Sequence, residues 1–290
     1  MLTPQESYPK LAQAIGVPEI ILKREDLHPY GSHKGRSIPY MIDEYIKQGY
    51  SDFVISSSGN AALAAAYKIN NYNKTNSTTI TLQIFVGEHI EPEKLEILKT
   101  LADNKNIIIK QVDRPKQSAF QLEKALRHGS GLKNLRQSTD DLALAGYKSL
   151  TDELKEIQNL QAVFIPTSSG TTAEALKNLG TQIHIVQTCA CPVIASEFDN
   201  NYYACDVSLA EAIVDNVAHR KEKVIQTVKK SGGSGWIASD EEIKSAIKLV
   251  KEKTNINISV NSALSVAGLI KAVKNGWHFN NTVVCLITGK

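Results

Sequence analysis

The sequence predicts an α/β protein with mainly parallel sheet, and three observations carry that expectation. Short apolar runs alternate with amphipathic stretches almost throughout the 290 residues. The apolar runs are four to six residues long and rich in Ile and Val, as strands covered on both faces are. The stretches between them repeat apolar positions at three and four residues, as in Ile243, Ile247 and Val250. Strand and helix in alternation imply crossover units, and crossovers imply parallel pairing.

Taken in order, the expected strands are Glu19–Lys23, Asp52–Ile55, Ile80–Phe85, Ile107–Gln111, Ala162–Pro166, Ile183–Thr188 and Thr282–Ile287. The expected helices are Gly35–Gln48, Ala61–Ile69, Pro92–Ala102, Gln117–Arg127, Asp141–Gln158, Thr172–Leu179, Asp240–Lys253 and Ser262–Lys274. Asn70–Ser77 is a run of turn formers and is expected to be a loop. Ser231-Gly-Gly-Ser-Gly235 reads as a hinge or tight turn. No helix starts on its glycines, because Ser239 and Glu242 form a new capping box downstream. That separates it from a phosphate loop.

A composition of 42% hydrophobic and 22% charged residues is that of an ordinary globular chain. A net charge of +3 is too small to argue for nucleic acid or an acidic membrane surface. Four cysteines in a chain this long do not read as a disulfide framework. Cys189-x-Cys191 is too close for a zinc knuckle and nothing completes it, so no metal is expected. No signal-like segment or membrane-length apolar run is evident, and a cytoplasmic protein is the expectation. His28, His128, His184, His219 and His278 are scattered and read as surface or satisfied core residues.

Chemistry concentrates in Lys23-Arg24-Glu25-Asp26-Leu27-His28-Pro29-Tyr30-Gly31-Ser32-His33-Lys34-Gly35-Arg36. A Pro, then Gly-Ser, then a Lys at the mouth of a helix makes a tight turn that presents one amine. Helix N-termini disfavour cations, which discourages the ammonium form of Lys34 and suits a nucleophilic amine. The stretch closely resembles the cofactor-lysine segment of the fold-type-II pyridoxal-phosphate (PLP) enzymes, and among them the threonine synthases. The resemblance implies that Lys34 is the Schiff-base lysine. It implies two open, mainly parallel sheets flanked by helices, with the cofactor in a cleft between domains. A smaller domain over 38–138 would be inserted into a larger one formed by 1–37 and 139–290.

Three further motifs match in order. Ser56-Ser57-Ser58-Gly59-Asn60 follows a strand and opens an Ala-rich helix, so its backbone N–H groups face an anion. It resembles the family loop that holds the substrate carboxylate, with Asn60 on the cofactor's 3′ oxygen. Pro166-Thr167-Ser168-Ser169-Gly170-Thr171-Thr172 is again strand, turn and helix start. The resemblance assigns Ser168, Ser169, Gly170, Thr171 and Thr172 to the cofactor phosphate, with His33 also within its reach. The family usually carries more glycine here, and a threonine at a position needing positive φ would be strained. The C-terminal run Val283–Ile287 ends in Thr288-Gly289. Threonine synthases end a strand this way, which places the Thr288 hydroxyl on the pyridine nitrogen. A hydroxyl does not enforce a protonated ring, so elimination and replacement are favoured over transamination.

The implied function is a PLP-dependent lyase acting on a small amino acid by β/γ-elimination or replacement, threonine-synthase-like, with O-phosphohomoserine as substrate and a homodimer as the assembly. Threonine synthases commonly carry an arginine for the substrate phosphate three residues before the Gly of Gly146-Tyr147-Lys148; Ala143 stands there instead. Lys148, Arg36 and Lys23 are the cations nearest in motif terms. A serine/threonine dehydratase or related β-replacing enzyme, and a non-catalytic PLP binder, are the alternatives. The absence of Gly-x-Gly-x-x-Gly after a strand argues against a dinucleotide protein.

Overall fold

All seven runs expected as strands pair in sheets. The computed structural model describes residues 2–90, 92–103, 105–126 and 131–289. Its strands are β1 (Gln5–Ser7), β2 (Glu19–Arg24), β3 (Asp52–Ser56), β4 (Thr81–Gly87), β5 (Ile107–Val112), β6 (Leu132–Asn134), β7 (Leu160–Pro166), β8 (Gln182–Thr188), β9 (Gly235–Ala238) and β10 (Thr282–Ile287). Its helices are α1 (Pro9–Ile15), α2 (Lys34–Lys47), α3 (Asn60–Thr75), α4 (Pro92–Leu101), α5 (Pro115–Ala125), α6 (Leu142–Gly146), α7 (Lys148–Lys155), α8 (Thr171–Ala175), α9 (Lys221–Ser231), α10 (Asp240–Thr254) and α11 (Val260–Lys274). The chain packs as two compact units, Pro29–Gly146 and Met1–His28 with Tyr147–Lys290.

The second of these units holds a sheet of order β1-β2-β10-β7-β8-β9. Every pairing in it is parallel except that of β1 with β2. The side-chain period of two explains why its central strands are apolar throughout. Along β10, Val283, Cys285 and Ile287 join one core, with α1, α10 and α11, while Val284 and Leu286 join the other, with α7 and α9. β7 divides in the same way, Phe164 to the first core and Val163 and Ile165 to the second. The Pro29–Gly146 unit has a parallel sheet of order β5-β4-β3-β6. Phe53 and Ile55 of β3 face the core shared with α2 and α3, and Val54 faces the smaller one with Ala119 of α5.

Several expectations need correction. Helix α3 runs to Thr75, through most of the stretch expected to be a loop. Its asparagines bond outside the helix: Asn70 donates to the Leu101 carbonyl at 2.9 Å, and Asn73 exchanges two bonds with Ile80, each 2.9 Å. The helix expected over Asp141–Gln158 is broken into α6 and α7 at Tyr147. A side chain at Gly146 would stand 2.6 Å from the Ser37 Cα, so α6 lies too close to α2 for any other residue. The strands β1, β6 and β9 have three or four residues each, too short for periodicity to show. Helices α1 and α9 also escaped the sequence pattern. Cys189 is bonded to Cys205, sixteen residues on, a pairing that the cysteine spacing does not reveal. Arg127 and His128 lie outside the described residues. The Ser239–Glu242 capping box is present with both of its reciprocal bonds. No helix among the described residues is long and apolar enough to cross a membrane.

His184 of β8 is a satisfied core residue. It stacks on Phe164 with centroids 4.4 Å apart, and its Nδ1 accepts the Trp236 indole N–H at 3.2 Å. Burial pushes its pKa down to about 3. The unfolded chain takes up this proton near pH 6.5, whereas the folded chain resists it until about pH 3. The stabilising contribution is therefore complete above pH 6.5 and is lost as the pH falls from there towards 3, at up to about 1.4 kcal/mol per pH unit. Between pH 7 and pH 5 this amounts to about 2 kcal/mol. Denaturant unfolding of His184→Gln, which keeps an acceptor for the indole, should show that much less loss over the same interval.

Candidate active site

In the Pro29–Gly146 unit the chain turns at Gly31, which has φ +76°, and enters α2 with Lys34 as its first residue. The Ser32 hydroxyl accepts the Lys34 backbone N–H at 3.3 Å, and Gly35 N–H bonds to the Ser32 carbonyl at 3.0 Å. This fixes the turn that carries the amine. His33, half-buried, is the N-cap residue and makes no side-chain cap. The Lys34 residue keeps some accessible surface, yet its amine is surrounded closely enough that desolvation alone lowers its pKa from 10.5 to about 8. It forms no ion pair or side-chain hydrogen bond with any described residue. A lysine without a counter-charge and short of water is a poor ammonium ion and a good nucleophile.

The second element of this unit is the turn from β3 into α3. Ser57 Oγ accepts the Gly59 N–H at 3.3 Å, and Gly59 serves as N-cap with no side-chain oxygen to offer. The first N–H groups of a sixteen-residue helix are thus left uncapped by the chain, the usual arrangement for meeting an anion. The side chains of Ser56, Ser58 and Asn60 make no hydrogen bond with a described residue.

The other unit presents two elements on adjacent strands. β7 and β10 are parallel neighbours, so the 167–172 turn and Thr288 both emerge at the carboxyl edge of the same sheet. Ligands of open parallel sheets bind along that edge. Thr167 N–H bonds to the Val186 carbonyl at 2.8 Å, which ties the turn to β8. Ser168 Oγ accepts the Val214 N–H at 3.3 Å, and Ser169 and Thr171 share a hydroxyl bond of 2.9 Å. Thr172 is 7% exposed, and its hydroxyl has no partner among the described residues. The strain expected of a threonine here does not arise, because the one left-handed position is Gly170, with φ +85°. Helix α8 after it has five residues, against the eight expected, so its dipole contributes little. Hydroxyls and loop N–H groups remain as the donors. Thr288 is buried, and Ser262 Oγ lies 3.5 Å from its hydroxyl while donating to the Gly289 carbonyl at 2.8 Å. Ser259 donates to the same carbonyl at 2.6 Å. Ser262 and Ser259 were missed in the sequence; their signal was the capped start of α11.

The Pro29–Gly146 unit offers a free, desolvated lysine amine that suits an aldehyde and an uncapped helix start that suits an anion; the other unit offers a hydroxyl-rich turn that suits a phosphate and a buried threonine hydroxyl. Residues 2–289 match the family of pyridoxal-phosphate dependent enzymes. The chain belongs to that family. Its cofactor is pyridoxal 5′-phosphate, and the residues present fit it. The threonine synthase of Mycobacterium leprae is 26% identical over 309 residues, covering 99% of this chain and 80% of that protein. The human L-serine dehydratase/L-threonine deaminase is 33% identical over 138 residues, 47% of this chain and 39% of that protein. Threonine deaminase isoform 2 from Solanum lycopersicum superposes with a TM-score of 0.78 at 18% identity, over 99% of this chain and 78% of the other.

The cations weighed for a substrate phosphate fare poorly. Lys23 is fully buried and bonds to Glu153 at 2.5 Å, the Thr3 carbonyl at 2.9 Å and Gln5 at 3.1 Å. Lys148 is exposed and paired with Asp152 at 2.6 Å. Arg36 is buried and engaged with other groups. Ala143 has no exposed surface; it packs in the core beside Ile38 and Met41, and its carbonyl accepts the Ser37 hydroxyl at 3.0 Å. An arginine placed there would bury its charge. Ala143→Arg should therefore cost stability, roughly 3 kcal/mol or more in denaturant unfolding, and should not improve the use of phosphorylated substrates.

Proposed function

We propose that the chain is a PLP-dependent lyase acting on an amino acid by elimination or replacement at the β or γ carbon, with threonine-synthase-like use of O-phosphohomoserine as its leading reaction. The observation that carries this reading is the unpaired amine of Lys34, whose pKa of about 8 suits it to covalent attachment and proton transfer. The likeness to the mycobacterial threonine synthase over 99% of the chain supports the choice of reaction. A homodimer is the assembly that goes with it.

When bound, PLP supplies an electron sink for bond cleavage next to the amino-bearing carbon. In this reading Lys34 holds the cofactor and moves a proton to or from the substrate. The hydroxyls of Ser56, Ser57 and Ser58 and the turn's backbone at Gly59 and Asn60 orient the substrate carboxylate, and Asn60 also bonds the ring's 3′ oxygen. Ser168, Ser169, Gly170, Thr171 and Thr172, with His33, take the phosphate. Thr288, steadied by Ser262, meets the ring nitrogen with a hydroxyl and leaves that nitrogen unprotonated.

A second reading, a serine/threonine dehydratase, is favoured by one observation: the candidate phosphate-binding cations are buried or already paired. Lys23 alone has three acceptors. The likeness to the human dehydratase over about half of the chain supports it too.

The test is an assay of O-phosphohomoserine, serine, threonine and O-acetylserine for phosphate, keto-acid and amino-acid products. Release of phosphate with formation of threonine supports the first reading, and keto acid from serine or threonine supports the second. Bound PLP without turnover of any of the four would contradict both and leave a non-catalytic binder. Lys34→Ala should stay folded, lose the cofactor adduct fixed by borohydride, and lose about 10²–10⁴-fold or more in turnover. An adduct that survives in this variant sinks the lysine assignment.

A further inference from the structure

Beside the 167–172 turn lies a buried ion pair that the proposed chemistry does not use. Glu174 of α8 is 2% exposed and Arg220, the N-cap residue of α9, is 4% exposed. The guanidinium Nη1 donates to Glu174 Oε2 at 2.8 Å. Lys223 stands 3.7 Å from the other carboxylate oxygen, with its own side chain largely in solvent. A buried pair of this kind gains little stability over apolar residues of the same size, because desolvation offsets most of the attraction. Its worth lies in fixing a geometry.

The geometry it fixes is that of the turn. Glu174 N–H bonds to the Gly170 carbonyl at 2.9 Å, so the residue that meets Arg220 also closes the turn. On the other side, Val224 of α9 occupies the space a side chain at Gly170 would need: a Cβ there would lie 2.5 Å from Val224 Cγ2. Helix α9 therefore grips the turn twice, through Arg220 on Glu174 and through Val224 on Gly170. The pair joins residues 46 apart in sequence. With α8 only five residues long, the turn has no long helix of its own to hold it in register.

We infer that Arg220 and Glu174 are a positioning pair that holds the 167–172 turn in the shape that recognises the phosphate of the cofactor. This rests on the reading of that turn as the phosphate site. The pair touches neither substrate nor cofactor; it sets where the Ser169, Thr171 and Thr172 hydroxyls and the loop N–H groups point.

Comparison of pyridoxal phosphate with pyridoxal, which has the same aldehyde and no phosphate, tests it. Cofactor-free protein is titrated with each aldehyde, and the fraction fixed on Lys34 by borohydride is read by mass spectrometry. The unaltered protein should favour the phosphate ester strongly. Arg220→Met with Glu174→Leu replaces the pair by apolar residues and should fold. Its affinity for pyridoxal phosphate should fall roughly tenfold or more, the size of one charge-assisted contact, with that for pyridoxal unchanged. Arg220→Lys, which keeps the charge pair, should retain most of the preference. Should the double variant not fold, Arg220→Gln supplies the same comparison. An unchanged preference in a folded variant overturns the inference while leaving the phosphate site standing. Equal binding of the two aldehydes by the unaltered protein removes the phosphate reading of the turn, and the inference with it.

Discussion

The amine of Lys34 is held away from water without a partner of opposite charge, and the functional account depends on that. An exposed lysine is an ammonium ion at neutral pH and neither condenses with an aldehyde quickly nor accepts a proton. A lysine paired with a carboxylate would be more firmly protonated still. Here the pKa falls to about 8 through desolvation alone. The backbone supports this state as well, because Lys34 opens a fourteen-residue helix whose N-terminus disfavours a cation. The turn through Gly31 and Ser32 puts the amine there.

A similar economy runs through the other elements. Each candidate group sits where a strand ends and a helix or turn begins, because there backbone N–H groups are not all taken up by the ladder or the helix. The strands themselves have no such freedom. β10 is buried at all six positions, its side chains divided between two cores, so the candidate group it carries, Thr288, comes only just after its end. Gly170 combines a left-handed backbone with contact to Val224, and this lets threonines flank it without strain. The turn is thinner in glycine than the family resemblance led one to expect, yet the glycine falls at the position that needs it.

Much of this was legible in the sequence, for identifiable reasons. Runs such as Val283–Ile287 and Val163–Ile165 are apolar at every position because both sheet faces are covered, and they stand out from any amphipathic stretch. The Ser239–Glu242 box is a local rule within four residues and was readable as such. What escaped was decided by partners distant in sequence. The asparagines that extend α3 look like loop formers until their bonds to Leu101 and Ile80 are seen. Ala143 matches a substrate-facing position by motif, but the close approach of α6 to α2 at Gly146 and Ser37 turns it into the core. Arg220 and Glu174 carry no motif at all; only the packing of α9 on α8 brings them together.

The most direct measurement of the central claim is the pH dependence of Lys34 reactivity in the cofactor-free protein, by reductive methylation with formaldehyde and peptide mass spectrometry. The neutral amine is the reactive form, so the rate should rise with pH and level off above a midpoint near 8. N-acetyl-lysine added to the same reaction is the reference, and its rate should keep rising towards the ordinary lysine range. A Lys34 midpoint near 10.5, in step with the free amino acid, would contradict the claim that desolvation prepares this amine for its cofactor.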